Sequence, residues 1–359
     1  MIAADRGTMP RNQLRVPSRQ SCPGFDESIT MMKACVFSAA VIAACFRFPQ
    51  SHAQPLLVSQ SNDMAYHSLQ AAIDALSAQG GDILIAPGIY REKVRVVKPG
   101  VHIKGTGKRP DETVVVYGDG AIYVGGTTRS ATLEASGDDF QLDNLTIQND
   151  YSLDPAHPPS QAVALSITGD KDVLTRVRLL GAQDTLFANK GPNGRLSRQY
   201  FADCYIEGHV DFIFGDAKAY FRQCELHGLA HQTVVYTAQG KAAPDEDSAF
   251  VFDHCTLTAN PGIGEIALGR AWRPFAAVVF LSSKMDAPVI AEGWREWIPG
   301  KTDTLRTAYY AEYKSTGRGG DSTRREPYSH QLSDSETRQW SLKMFFGNTS
   351  WLPHETSHK

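Results

Sequence analysis

The sequence predicts an all-β chain wound into a parallel β-helix, and two observations carry that prediction. The first is a set of short segments with apolar residues at alternate positions, at 140–147, 172–179, 200–206, 220–226 and 250–257. Successive side chains on a strand point to opposite faces, so period-two alternation in runs this short marks strands. The inward positions are expected to be Leu145/Ile147, Val177/Leu179, Cys204/Ile206, Cys224/Leu226 and Cys255/Leu257. The second is their recurrence: equivalent positions lie 32, 27, 20 and 31 residues apart. In that range each repeat is one supersecondary unit of a solenoid or propeller. Unequal spacing, without a Trp-Asp blade signature, favours a β-helix, which absorbs insertions in the loops between strands. Periodicity alone also fits a β-sandwich.

Taken in chain order, residues 1–31 show no evident role and fit an extension from a misplaced start codon. From Met32 the chain has a Lys, an apolar run over 34–46, and a polar stretch ending Ser51-His52-Ala53. These are the parts of a secretory signal, cut after Ala53; the run is too short to span a bilayer. A rival reading takes Ile42-Ala43-Ala44-Cys45 as a lipoprotein signal with Cys45 lipidated, giving a periplasmic or membrane-anchored protein instead of a secreted one. Residues 66–79 carry Leu69, Ile73 and Leu76 at helical spacing, a helix suited to capping the open end of a solenoid. One β-helical domain then spans 54–335. The C-terminal part is irregular, with a closing helix expected over 333–345 and a tail over 336–359.

Composition bounds the function. At 42% hydrophobic and 21% charged residues the chain is in the globular range. Its formal charge of −3 gives no reason to expect nucleic acid as a partner. Residues 1–53 hold six Lys/Arg and three Asp/Glu, so removing them leaves 30 against 36, a net −6. Cys204, Cys224 and Cys255 remain after that cut. Cys204 and Cys224 occupy one repeat position on successive coils. Stacking at about 4.8 Å falls within the Cα separation of roughly 4.4–6.8 Å that a disulfide tolerates, so a Cys204–Cys224 bridge is expected, with stacked reduced thiols as the alternative. Cys255 reads as an inert core residue.

Six motifs follow in order: Gly88-Ile-Tyr-Arg-Glu92; Ser160-Gln-Ala-Val-Ala-Leu165; Gly181-Ala-Gln-Asp-Thr-Leu186; Gly208-His-Val-Asp-Phe-Ile-Phe-Gly215; Leu268-Gly-Arg-Ala-Trp272; and Gly293-Trp294. Most are weak alone. Together, with Ala311-Glu-Tyr-Lys-Ser-Thr-Gly317 and Ser329-His-Gln-Leu332 further on, they make the chain resemble the pectin methylesterase family from about residue 60 to about 335. The resemblance implies a right-handed β-helix with an open cleft that hydrolyses galacturonate methyl esters in pectin, as a monomer without metal or cofactor. Carried over motif by motif, Asp211 is the expected nucleophile and Asp184 the general acid, then base. Gln161 and Gln183 are the expected oxyanion donors, Arg270 the partner of Asp211, and Trp272 and Trp294 the flanks of the sugar cleft.

The residue types suit that chemistry. Val210, Phe212, Ile213 and Phe214 give Asp211 an apolar setting, which alone raises a carboxyl pKa. An Arg fork opposes that rise and orients the carboxylate. Two close carboxyls, one of them paired with Arg, separate into a base and an acid. Two departures from the family stand out. Ala271 replaces a common Pro, and His209 replaces a small polar residue; its ring either charges near Asp211 below about pH 6.5 or faces solvent. Three rival functions stand beside this reading. One is an esterase or thioesterase of the same fold on another substrate. A second is a lyase, whose calcium would need clustered acidic ligands that the Asp184/Asp211 pair with its glutamines does not resemble. The third is a non-catalytic sugar-binding solenoid.

Overall fold

The computed structural model describes residues 54–353. The expected extension 1–31, the signal 32–53 and Cys45 lie outside the described residues. Within them the chain is a right-handed parallel β-helix, with sheets of 11, 8 and 8 strands. Each full coil contributes one strand to each sheet, and paired strands run parallel and in register. Among the described residues no helix is long and apolar enough to cross a membrane.

The repeated segments read from the sequence each cover two strands and the corner between them. Gln141–Asp143 and Thr146–Asn149 flank Asn144, whose φ is 59°. Arg176, Asp203, Gln223, His254, Ser282 and Lys314 repeat that left-handed corner on later coils. A single residue at positive φ turns the chain sharply, and the backbone ladder continues through the turn: Arg176 N–H donates to Ala202 O and Asp203 N–H to Arg222 O. Beyond each corner the expected inward pairs, from Leu145/Ile147 to Cys255/Leu257, are all buried.

Register turns that burial into stacks. Phe201, Phe221, Phe252 and Phe280 sit at matching positions on four successive coils. Their ring centroids are 4.4, 4.5 and 4.7 Å apart, offset contacts that add to the area each ring buries. The aromatic run of this column stops at Glu312, which is opposite Phe280, fully buried, and followed in register by Gln331. Arg325 closes that end of the solenoid with a fork to both Glu312 oxygens (2.7 and 3.3 Å) and a further bond to Gly319 O at 2.6 Å.

The opposite end is capped by the helix Leu69–Ala75, shorter than the expected 66–79. Ser68 caps its start, and the Glu92 carboxylate accepts from Leu69 N–H (2.7 Å) and Gln70 N–H (3.0 Å). Lys98 Nζ donates to the carbonyls of Ile73, Asp74 and Leu76 at the other end. Both sets of orphaned backbone groups are thus satisfied after two turns. Toward the C-terminus the expected helix over 333–345 is divided. A 3₁₀ segment Glu336–Trp340 and a helix Leu342–Phe346 are separated by Ser341, which is extended at ψ 147°. The break lets Phe345 and Phe346 dock on Tyr220 of the first sheet.

The expected disulfide does not form: Cys204, Cys224 and Cys255 are free and buried. Cys204 and Cys224 do stack, with Glu225 N–H donating to Cys204 O at 2.8 Å. In-register parallel neighbours keep their Cα–Cβ bonds parallel, so the Cβ atoms stay about 4.8 Å apart. A bridge needs them at about 3.8 Å. The Cα criterion is met and the Cβ criterion fails. The thiols turn instead to carbonyls, Cys204 Sγ to Ala202 O and Cys224 Sγ to Arg222 O, and burial pushes both well above the ordinary thiol range. Reductant should therefore leave the thermal midpoint unchanged; loss of a bridge over a loop of this size would remove about 3 kcal/mol and lower the midpoint by several degrees.

Candidate active site

The outer face of the second sheet builds the site. Strands Leu186–Ala188, Ile213–Gly215, Thr233–Gln239 and Glu265–Arg270 lie side by side there. Their outward positions in one row are Phe187, Phe214, Ala238 and Arg270. The two Phe rings lie with centroids 4.7 Å apart, tilted by 35°, and give the floor an apolar surface.

Asp184 and Asp211 sit on the turns leading into the first two of these strands, at matching positions on adjacent coils. Asp184 N–H donates to Val210 O (3.1 Å) and Leu186 N–H to Phe212 O (2.8 Å). Both aspartates have left-handed backbone, φ 65° and 52°, a conformation Asp tolerates better than most side chains. The turn before Asp211 also requires a glycine. A Cβ on Gly208 would lie 2.3 Å from Phe212 Cβ and 2.6 Å from Ala182 O.

Arg270 approaches from two coils away. Its Nε donates to Asp211 Oδ1 at 2.8 Å and its Nη2 to Oδ2 at 2.6 Å, a bidentate fork. The side chain crosses the intervening coil at Ala238, the smallest residue of the floor. Among the described residues Asp184 has no ion-pair partner. The two carboxyls therefore differ electrically. Burial and the Asp211 charge push Asp184 up to about 8, against an opposing pull from Arg270. Burial also raises Asp211, opposed by the hydrogen bonds and charge of Arg270.

A cavity of about 410 Å³ lies over this pair, bounded by Thr127, Gln161, Gln183, Phe214, Trp272 and Trp297. The backbones of both glutamines are fixed, with Ala121 N–H donating to Gln161 O (2.8 Å) and Ala162 N–H to Gln183 O (3.1 Å). Their side-chain amides make no hydrogen bond to other described residues, so four N–H donors remain available to a ligand. Trp272 reaches the cavity because Gly240 leaves it room; a Cβ there would meet the indole at 2.9 Å. Ala271, between Arg270 and Trp272, is fully buried.

Of the residues predicted from sequence, Gln161, Gln183, Asp184, Asp211, Arg270 and Trp272 are brought together here. Trp294 is not. It is in the core, 1% exposed, stacked on Tyr310 at 4.0 Å. Its neighbour in register is Gly269, which has no side chain and so leaves inward space for an indole. The ring facing the cavity is Trp297, which sequence reading missed; only the register of residues 294–295 on the preceding coil distinguishes the two. His209 follows neither expectation. It stacks on His231 at 4.3 Å and its Nδ1 accepts from Val210 N–H. Burial and the neighbouring imidazole push it down to about 4, so it stays neutral at higher pH.

Comparison with known proteins gives one consistent result. A profile described as Pectinesterase matches residues 55–349. "Probable pectinesterase 8" of Arabidopsis thaliana is 34% identical, over 83% of this chain and 76% of its own length. Among solved structures, the pectin methylesterase from carrot superposes with a TM-score of 0.75 at 27% identity, covering 83% of this chain and 95% of that one. A pectin methylesterase in complex with a hexasaccharide superposes with a TM-score of 0.68 at 26% identity, covering 82% and 97%.

The raised Asp184 links the site to stability. A carboxyl whose folded pKa is about 8, against about 3.9 unfolded, binds its proton more tightly when folded. Its contribution is complete below pH 4 and is lost as pH rises toward 8. Asp184→Asn keeps the neutral shape without the titration. Urea denaturation at pH 5 and pH 8 should show the variant gaining stability relative to wild type at the higher pH; an unchanged difference would contradict the assignment.

Proposed function

The chain belongs to the pectinesterase family, and from that premise we propose that Asp211 attacks the methyl ester of a galacturonate unit while Asp184 supplies the proton for methanol. The reaction is that of a pectinesterase: a methyl ester in pectin and water become a carboxylate, a proton and methanol. The observation that carries the assignment of roles is the Arg270 fork, which holds one of two adjacent buried carboxyls and leaves the other free.

In this scheme ionised Asp211 adds to the ester carbonyl. The oxygen that gains charge is stabilised by amide N–H groups of Gln161 and Gln183, neutral donors that do not pair with the nucleophile itself. As the tetrahedral species collapses, methoxide leaves and takes the proton of Asp184, a group whose pKa of about 8 keeps it protonated at neutral pH. The acyl group is then joined to Asp211 as a mixed anhydride. Asp184, now a carboxylate, takes a proton from water, and the resulting hydroxide attacks the acyl carbon. Asp211 leaves as a carboxylate and Asp184 is again protonated. Phe187 and Phe214 keep bulk water from the floor on which both steps occur.

Trp272 supplies a flat apolar face for a sugar ring at one side of the cavity, and Trp297, not Trp294, bounds the other side against Arg270. One chain supplies every group used, which supports action as a monomer. The leader over 32–53 supports export.

Methanol release from highly methylated pectin tests the scheme. Asp211→Ala should abolish turnover, and Gln183→Ala should lower kcat about a hundredfold with a smaller change in KM. The wild-type profile should lose activity on the alkaline side as Asp184 loses its proton. Turnover by Asp211→Ala equal to wild type would sink the mechanism.

A further inference from the structure

Arg270 is held by more than its carboxylate. The centroid of the Trp297 indole is 4.4 Å from Arg270 Cζ, a cation–π contact on one face of the guanidinium. A fork to Asp211 holds the guanidinium against twisting about the line joining the two groups but leaves its plane free to tilt about the axis through the two carboxylate oxygens. A flat ring against one face removes this freedom. It also excludes water from that face, where a higher local dielectric would weaken the ion pair.

The segment that carries the ring is itself anchored. Trp294 and Arg295 pair with Gly269 and Arg270 on the preceding coil. Glu296 accepts from Gly300 N–H at 2.6 Å, and Lys301 N–H closes a turn on Ile298 O at 3.0 Å. Trp297 is thus returned over the strand end that bears Arg270. Trp297 and Arg270 together line both the catalytic cavity and a second cavity of about 330 Å³.

We propose that Trp297 is a positioning residue for the ester hydrolysis: its indole sets the tilt of the Arg270 guanidinium, which in turn holds Asp211 in line for attack. The proposal rests on the reading of Asp211 as nucleophile and extends the machinery to a residue that need not touch the ester.

The test is a double-mutant cycle read by methanol release from methylated pectin. Trp297→Leu keeps an apolar side chain without a ring and should lower kcat about five- to thirtyfold, with KM changed less than about threefold. Trp297→Phe restores a flat face and should recover kcat to within about threefold of wild type. Arg270→Lys removes both the fork and the planar cation. In that background Trp297→Leu should cost less than about twofold, because the group through which the indole acts is gone. Equal losses in both backgrounds, no recovery with Phe, or a loss confined to KM would overturn the proposal. Wild-type turnover in Arg270→Lys alone would overturn the reading of the Asp211–Arg270 pair beneath it, and is distinguishable from the other outcomes because it appears before Trp297 is changed.

Discussion

Parallel strands in adjacent coils pair in register, and most features of this molecule follow from that one constraint. A side chain at a given position on one coil lies about 4.8 Å from its counterpart on the next. Apolar counterparts become continuous columns, as in the stack from Phe201 to Phe280. Corners must coincide as well, so residues of unlike chemistry, Asn144, Arg176, Asp203, Gln223 and His254, all adopt the same left-handed backbone. Toward the ends of the solenoid the apolar column gives way to polar groups. At one end Arg325 meets the buried Glu312, and at the other a short helix is satisfied by Glu92 and Lys98.

The same stacking creates the electrostatics of the site. Asp184 and Asp211 are counterparts on adjacent coils, a repulsive arrangement that simple stacking would make symmetrical. Symmetry is broken from two coils away, by a cation that crosses Ala238 and engages only Asp211. Burial raises both carboxyls; the Arg270 fork opposes that rise at Asp211, while Asp184 is carried to about 8. A regular scaffold thus gives two identical side chains different electrical surroundings. The cation is in turn pressed by Trp297, which belongs to the irregular segment after the last long strand of that sheet. Regular coils place the carboxyls and irregular chain tunes them.

Much of this was legible in the sequence because period-two alternation and repeat spacing are local quantities. They located the inward positions at Leu145/Ile147 through Cys255/Leu257, all of them buried. The motifs around Gln183-Asp184 and Asp211 located both carboxyls that share the cavity. The misreadings share one cause, the direction of a side chain relative to a neighbouring coil. Cys204 and Cys224 met the Cα distance for a disulfide, but parallel Cβ vectors kept them reduced. The motif points Trp294 at sugar, but Gly269 opposite it leaves inward space and the indole turns to Tyr310. Sequence offers His209 either charge beside Asp211 or solvent, while its neighbour is His231 from the next coil.

The sequence by itself determined the repeat and its inward face, because both are written in spacing along one chain, and its motifs named the cleft residues through resemblance to the pectin methylesterase family. Only the tertiary structure decided which carboxyl is paired, which tryptophan meets the cleft and which cysteines remain thiols. Those outcomes depend on the relative orientation of side chains brought together from different coils, such as the 59 positions between Asp211 and Arg270. No local pattern encodes that orientation; it exists only once the coils are stacked.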